Sequence, residues 1–315
     1  MSMTRLSLLG CVLALLAPAA AQAAQVGAPA ARLQVWNVNT RHMAIDSTSD
    51  WRQFAYYITD PARAAYLPDI VTLQEAGSPE AAASCHAFEA LLEQRTGHGY
   101  FCYETGAQGG AAVVYRTSRL SHTTNGTKSL GILRISGSSC VSSPWRAMDV
   151  RLRDDLWSSR FVNVEAVHLP VAEVDGRDCA WDNNKLLDAA SDDLGATTMR
   201  IMAGDWNHAD ATTTSTGAFS FWECQYKGLS LGVGTCGGRN LGWKDVIYRL
   251  CMNQGWGPGA PIYDNCLRYH PTFGSKRIDF MFTTAYAIYN QLTVPVTAPR
   301  YSDHRGHGAL LSYGP

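Results

Sequence analysis

Six short runs of β-branched and aromatic residues constrain the fold of this 315-residue chain more than any other feature. Runs of this composition, bounded by Gly, Pro, Asp or Ser, are typical of buried β-strands. Apolar residues make up 46% of the chain, so the strands can surround a large core. The runs are LQVWNVN (33–39), DIVTLQE (69–75), AAVVYR (111–116), FVNVEAVHL (161–169), RIMAGDWN (200–207) and RIDFMFT (277–283).

Three other segments have the spacing of amphipathic helices. Residues 51–67 place Trp51 and Phe54 on one face, and residues 182–194 space their leucines similarly. Residues 79–95 follow Ser78, a favourable N-cap, and begin with proline at the first helical position. Strands and helices mixed in this way predict an α/β or α+β sandwich.

The first 23 residues predict a secretory signal peptide. Arg5 precedes an apolar stretch, and the small-residue triplet Ala21-Gln22-Ala23 follows it. The stretch is shorter than the roughly 20 residues that cross a membrane, and no later run is longer. A lipid anchor at Cys11 is the alternative interpretation. We expect a secreted or periplasmic chain whose residues 24–315 form one domain, because no linker or charge block divides them.

Eight of the nine cysteines lie beyond the signal segment, and an even number in an exported chain predicts disulfides. The cysteines show no spacing typical of a zinc site. Their pairing stays open. We expect Cys224 to Cys266 to pair among themselves, because the Cys/Gly-rich insertion at 221–266 has little periodic pattern to order it.

The charge balance limits how the chain can bind nucleic acid. Without Arg5, the mature chain has 25 basic and 27 acidic residues. Proteins held to nucleic acid by bulk charge are basic, so any such contact here must come from a local basic surface.

Polar residues stand where the strand-like runs end. Because strand ends can converge on one edge of a sheet, we expect these side chains to form one site. Each also has an ordinary structural interpretation, such as a turn cap or an ion pair with Arg277. The residues are Asn37, Glu75, His168, Asp205, Asn207 and Asp279, with the Ser-Asp-His sequence at 302–304.

The oxygen ligands in this set suit a hard divalent cation. Glu75 and Asn37 are ligands typical of Mg²⁺, with Ca²⁺ or Mn²⁺ as alternatives, and Asp303 is a third candidate ligand. Hydrolysis of a phosphodiester needs such a cation, an activated water and help for the leaving oxygen. The set therefore predicts metal-dependent phosphodiester hydrolysis.

The remaining residues suit the proton transfers of that reaction. His304 can accept a proton from water if Asp279 holds its ring, and His168 can donate to a phosphoryl oxygen. Asp205 and Asn207 can orient the water or bind the phosphate. Whether His304 or Asp205 takes the proton from water stays open.

Six motifs, taken in order, resemble the endonuclease/exonuclease/phosphatase superfamily typified by deoxyribonuclease I. The resemblance spans residues 32–313, and its QEAGS string is most similar to the catalytic subunit of cytolethal distending toxins. It implies a four-layer α/β/β/α sandwich, a DNA endonuclease and possible carrier or toxin subunits as partners. The motifs are WNVN (36–39), QEAGS (74–78), VNVEAVHL (162–169), GDWN (204–207), RIDFMF (277–282) and SDH (302–304).

The resemblance also implies roles for the site residues. Glu75 and Asn37 would hold the ion, Asp205 and Asn207 would contact water and phosphate, and His168 with the Asp279–His304 pair would carry the protons. One departure is clear. Deoxyribonuclease I has an Arg-Glu pair before the strand that matches 111–116, where this chain has Gly109 and Gly110. Arg116 and Arg146 are the candidates for the missing basic contact.

Two other functions stay open. The same superfamily site serves sphingomyelinases and phosphoinositide or inositol phosphate phosphatases, so a phospholipid or inositol phosphate is the alternative substrate. A catalytically silent binding protein is a third reading, which the intact set of polar residues argues against. We further expect Asp245 to be structural and His307 to be exposed.

Overall fold

The computed structural model describes residues 25–77, 85–104, 110–130, 147–157, 160–168, 173–174, 177–178, 198–207, 243–253, 270–295 and 300–314. The predicted signal peptide, the predicted helix at 182–194 and most of the insertion at 221–266 lie outside these ranges.

The described residues form fourteen strands and three helices. In chain order they are β1 (Arg32–Asn39), α1 (Arg52–Ile58), β2 (Ile70–Gly77), α2 (Cys85–Thr96), β3 (Tyr100–Glu104), β4 (Gly110–Arg116), β5 (Leu120–Leu130), β6 (Ala147–Asp154), β7 (Phe161–His168), β8 (Glu173–Val174), β9 (Arg177–Asp178), β10 (Met199–Asp205), β11 (Lys244–Asp245), α3 (Val246–Asn253), β12 (Asp279–Thr283), β13 (Ala287–Thr293) and β14 (His307–Ser312).

Two six-stranded mixed sheets make up the scaffold. Sheet A has the order β13-β14-β1-β2-β4-β3, and sheet B has the order β11-β12-β10-β7-β6-β5. Each sheet has one parallel pair at its centre, β1 with β2 in sheet A and β7 with β10 in sheet B. Antiparallel strands flank both pairs, so the two sheets repeat the same local arrangement.

The alternation of side chains along β1 shows how the layers form. Leu33 and Val35 face sheet B and belong to the core between the two sheets. Trp36 and Val38 face the other way, into a second core that α1 and α2 share with sheet A. β1 is therefore buried on both faces, with apolar side chains directed into both cores. The predicted α/β sandwich is confirmed, with sheet A packed between sheet B and a helical layer.

The structure describes parts of two of the three predicted helices. The first, predicted at 51–67, ends at Ile58, because the residue before Pro61 is disfavoured in helical conformation. The second, predicted at 79–95, is described from Cys85 to Thr96 and ends before Gly97. Gly97 has φ +69° and donates to Glu93, a common helix ending that favours glycine.

A buried ion-pair network closes the end of the sandwich where β2 begins. Asp69 pairs with Arg116 and Arg119, and Arg119 also pairs with Asp154. Arg119 further donates to the carbonyls of Ala28 and Ala30, which fixes the segment before β1. Arg116 lies in this network, and the suggestion that it contacts substrate is therefore wrong.

A disulfide joins Cys85 at the start of α2 to Cys102 in β3. The prediction of disulfides is confirmed for this pair, which ties the helical layer to the edge of sheet A. The expected pairing among the cysteines from Cys224 to Cys266 rests on side chains that the structure does not describe.

The double variant Cys85→Ala/Cys102→Ala should lower the free energy of unfolding by about 3 kcal/mol, because the bridge closes a loop of 17 residues. Urea denaturation under non-oxidising conditions measures the effect. The same comparison in reducing agent is the control, since both proteins then lack the bridge and differ only in side-chain packing. Equal midpoints in the absence of reducing agent would contradict a stabilising role.

Candidate active site

The carboxyl ends of the two parallel pairs meet at one end of the sandwich. In sheet B, Asp205 lies beside His168 on one neighbouring strand and beside Asp279 on the other. In sheet A, the facing strand ends carry Asn39 and Glu75. The convergence of these strand ends explains how residues far apart in sequence share one site. All five side chains are buried or nearly so.

A β-bulge directs Glu75 into the site. The pairing of β2 with β4 shifts between Gln74 and Gly77, and Glu75 has φ +56°, in the left-handed region. Bulges turn a side chain away from the regular alternation of its strand, and a non-glycine residue in this conformation is strained. The strain is tolerated here because the bulge orients Glu75 toward Asn39 and His168.

Gly204 lets β10 approach β7 closely enough to place Asp205 beside His168. A Cβ atom at position 204 would lie 1.8 Å from the carbonyl oxygen of Val167. No side chain can occupy that space without separating the strands. The glycine of the GDWN motif is therefore required by packing, one residue before the acid.

Asn39 joins the two sheets at the centre of the site. Its Nδ2 donates to Glu75 Oε1 at 3.1 Å and to Asp205 Oδ2 at 3.0 Å. Its Oδ1 accepts from the backbone N–H of Arg41 at 2.9 Å, which fixes the orientation of the amide. One neutral side chain thus places a hydrogen-bond donor between two carboxylates.

Asn37, predicted as a metal ligand, lies two residues deeper in the sheet. Its Oδ1 accepts from Thr72 Oγ1 at 2.7 Å and from Gln74 Nε2 at 2.9 Å. Both bonds tie β1 to β2 and occupy the oxygen that a cation would need. The prediction of Asn37 as a ligand is therefore wrong, and Asn39 is the asparagine that contacts the acidic residues.

His168 faces the acidic residues from the end of β7. Its Nε2 lies 3.7 Å from Glu75 Oε1 and 3.8 Å from Asp205 Oδ2. The ring is almost fully buried, so its outward nitrogen is directed to the site rather than to bulk solvent. This is the placement that proton donation to a bound phosphate would require.

Asp279 and His304 form a hydrogen-bonded pair. His304 Nδ1 lies 2.9 Å from Asp279 Oδ2, and the opposite ring nitrogen lies 3.8 Å from Asp205 Oδ2. Burial disfavours the charged ring, but the carboxylates of Asp279, Asp205 and Asp303 outweigh it and raise the pKa of His304 to about 10. The imidazolium is therefore the stable form in the absence of a cation. Phe273 packs on the same ring, with centroids 4.8 Å apart.

Asp205 carries an unfavourable charge. Burial, followed by the negative charge of Asp279, raises the pKa of Asp205 above its usual range, although His304 and Asn39 partly compensate. Ligand atoms of Asp205, Asp279 and His304 all lie within 4.8 Å of one another. Buried carboxylates at this spacing fit a divalent cation, because the cation would relieve their repulsion.

The other predicted residues lie around this centre. Asn207 follows Asp205 in a left-handed conformation, φ +51°, and its N–H donates to Asp205 Oδ1. Asp303 lies on the half-exposed rim with its carboxylate 4.0 Å from Arg41 Nε, so we do not retain it as a ligand. Asp245 pairs with buried Arg277, which fits the structural role expected of it.

His307, expected to be exposed, is fully buried, and that prediction is wrong. It stands opposite Asn37 in the pairing of β14 with β1, and Ala309 and Leu311, two and four residues further along β14, belong to the core between the sheets. Burial lowers the pKa of His307 to about 4, so the ring is neutral.

Sequence reasoning missed Asn39 and the two residues that follow Thr40. The signal for Asn39 was present, because residues two apart on a strand share a face and WNVN contains two asparagines. Nothing in the sequence marks Arg41 or His42. His42 Nε2 lies 3.1 Å from Glu75 Oε2, a contact that depends on the fold of the following loop.

Comparison with known proteins places this geometry in context. Residues 35–304 match the model of the Endonuclease/Exonuclease/phosphatase family. No curated protein sequence matches the chain significantly.

Several solved structures have a similar fold. The human Nocturnin catalytic domain with bound sulfate anion has a TM-score of 0.59 and 14% identity, covering 89% of this chain and 94% of that chain. D. rerio TDP2 complexed with single strand DNA product has a TM-score of 0.53 and 16% identity, covering 89% and 98%. A family protein from Leptotrichia buccalis has a TM-score of 0.56 and 13% identity, covering 89% and 99%. At these identities the similarity establishes the four-layer α/β/β/α fold.

Without a divalent cation, the free energy of unfolding should fall by several kcal/mol between pH 7 and pH 10. Asp205 and His304 both bind their protons more tightly in the folded state, so stability is lost as the pH rises through their raised pKa values. Asp205→Asn should flatten this dependence, because it removes one of the two groups and lowers the pKa of the other. Urea denaturation in chelator at several pH values measures both curves. Parallel curves for the variant and the wild type would refute the electrostatic account.

Proposed function

Because the chain belongs to the Endonuclease/Exonuclease/phosphatase family over residues 35–304, we propose that it is a metal-dependent phosphodiester hydrolase. The observation that carries the proposal is the Asp279–His304 pair, whose free ring nitrogen faces Asp205 between Glu75 and His168. A hydrogen-bonded acid and histidine beside a second buried acid supply the groups that phosphodiester hydrolysis needs.

The residue that would hold the cation is Glu75. Asn39 donates from one amide group to Glu75 and to Asp205, which keeps the two carboxylates beside each other. Hard carboxylate oxygens favour Mg²⁺, with Ca²⁺ or Mn²⁺ as alternatives. When bound, the cation supplies positive charge beside the scissile phosphate.

The protein groups divide the proton work. Asp205, whose raised pKa brings it closer to neutral pH, takes the proton from the attacking water. His304, held in its charged form by Asp279, donates its Nε2 proton to the leaving oxygen as the bond from phosphorus to that oxygen breaks, and His168 donates a hydrogen bond to a non-bridging phosphoryl oxygen. Two donors aimed at the phosphate offset the negative charge that grows as the water attacks.

We further propose that the substrate is DNA and that the protein is secreted or periplasmic. The similarity of QEAGS to toxin catalytic subunits supports DNA, and by the same resemblance a carrier subunit is a possible partner. The Cys85–Cys102 bridge supports an oxidising compartment. In the part of the chain that the structure describes, no helix is long and apolar enough to span a membrane.

The function is tested by incubating the mature protein with supercoiled plasmid, RNA, sphingomyelin or a phosphoinositide, each with Mg²⁺ or with chelator. We expect nicking of plasmid that stops when chelator is added. Hydrolysis confined to sphingomyelin or the phosphoinositide would support the proposal of a phosphoesterase and contradict the proposal of a nuclease.

His168→Ala and His304→Ala should each lower the turnover number by about 10² or more, as expected for groups that transfer protons to or from the substrate. His98→Ala is the matched control, because His98 lies away from the site. It lies between α2 and β3, beside the end of β3 that pairs with Arg116 at the far end of sheet A. Circular dichroism and thermal denaturation check that each variant folds. A wild-type turnover number in either variant would remove that histidine from the mechanism.

A further inference from the structure

The loop that follows β1 has an unusual backbone. Arg41, His42 and Met43 have φ values of +51°, +56° and +55°, a left-handed conformation that side chains other than glycine rarely adopt. Strained residues of this kind cluster where a structure must hold side chains at a ligand.

Local contacts hold the loop in this conformation. Asn39 Oδ1 accepts from the N–H of Arg41, and the N–H of Ala44 donates to the carbonyl of Arg41 at 3.0 Å. Met43 is buried in the core beneath α1, which anchors the loop from below. The strain is thus supported by the same asparagine that bridges the acidic residues.

Arg41 is fixed at one nitrogen and available at the others. Its Nη1 donates to Ser49 Oγ at 2.6 Å and to Thr48 Oγ1 at 3.1 Å. Among the described residues, the guanidinium makes hydrogen bonds only through Nη1, and 39% of the side chain is exposed. An arginine held on one edge and free on the other is oriented for a planar, two-point contact with an anion.

The free edge lies beside the catalytic centre. Arg41 Nε is 4.0 Å from Asp303, the neighbour of His304, and the next residue, His42, contacts Glu75. Arg41 is thus on the rim, beside the residue that precedes His304. A group bound there would be the neighbour of the group that reacts.

We propose that Arg41 binds the phosphate next to the scissile one in a nucleic-acid strand. The proposal rests on the proposed function, because it assigns a second phosphate to the same cleft. Asp46 and Asp303 lie near the guanidinium, but at 3.7 and 4.0 Å neither is hydrogen-bonded to it. Both acids are close to half exposed, so solvent screens them and they do not neutralise a contact made through Nε and Nη2.

The test compares substrates that do and do not carry a neighbouring phosphate. Arg41→Ala should raise KM for an oligonucleotide about tenfold while kcat stays within about threefold. It should also reduce by about one the slope of log(kcat/KM) against log salt, since one phosphate contact is lost. Hydrolysis of bis(4-nitrophenyl) phosphate, which has no second phosphate, should be unchanged.

Two control variants sharpen the result. Arg153→Ala removes the same charge from a side chain of similar exposure, but at the end of β6 that adjoins the start of β7, away from the site. It should leave both substrates unaffected. Arg41→Lys should recover part of the affinity, because it keeps the charge and loses the planar contact.

Equal KM values of Arg41→Ala and wild type for the oligonucleotide, or an equal loss on both substrates, would overturn the proposal. Failure of the Arg41 contact can be distinguished from failure of the proposed function. If the wild type hydrolyses neither substrate, binding of a phosphorothioate oligonucleotide, followed by fluorescence anisotropy in Mg²⁺, still compares the variants. An unchanged dissociation constant for Arg41→Ala would then refute the contact.

Discussion

The register of β10 between β7 and β12 is the constraint on which the rest of the site depends. This register sets Asp205 directly beside His168 on one strand and Asp279 on the other. It exists because Gly204 leaves room for the carbonyl of Val167, where a Cβ would collide with it. A slip of β10 by one residue would turn Asp205 to the opposite face of sheet B, away from His168 and Asp279.

Buried charged groups are arranged differently at the two ends of the sandwich. Where β2 begins, Asp69 and Asp154 are each matched by arginine, so the charges there compensate each other and the network is structural. Where β2 ends, Asp205 and Asp279 lie close together and repel, and the pKa of Asp205 is raised by burial and by that repulsion. A surplus of buried acidic groups is costly in a protein that only needs to fold, and it suits one that binds a cation.

Backbone strain is concentrated at the same end. Of the six non-glycine residues described with a left-handed backbone, Glu75, Asn207 and the three from Arg41 to Met43 lie at the site end of the sheets, and Asn290 lies at the register shift of β13. Each strained residue at the site end follows or interrupts a strand that is otherwise regular and buried. The sheets are rigid enough to hold these conformations, and the strained loops aim side chains that a regular strand could not direct.

The sequence by itself determined the two-sheet scaffold and most of the chemistry. Strands form where apolar and β-branched residues recur, and that local preference can be seen without the fold. The identity of Glu75, His168, Asp205, Asp279 and His304 as site candidates followed from polar residues at the ends of such runs.

The tertiary structure decided what depends on direction and distance. Asn39 takes the place of Asn37 in the site. Asn37 is hydrogen-bonded between β1 and β2, whereas Asn39 lies at the strand end and contacts Glu75. The tertiary structure also buried His307, assigned Arg116 to the far end, and brought Arg41 to the rim. These outcomes depend on which strands pair and on how a loop turns, and no local pattern of residue types carries that information.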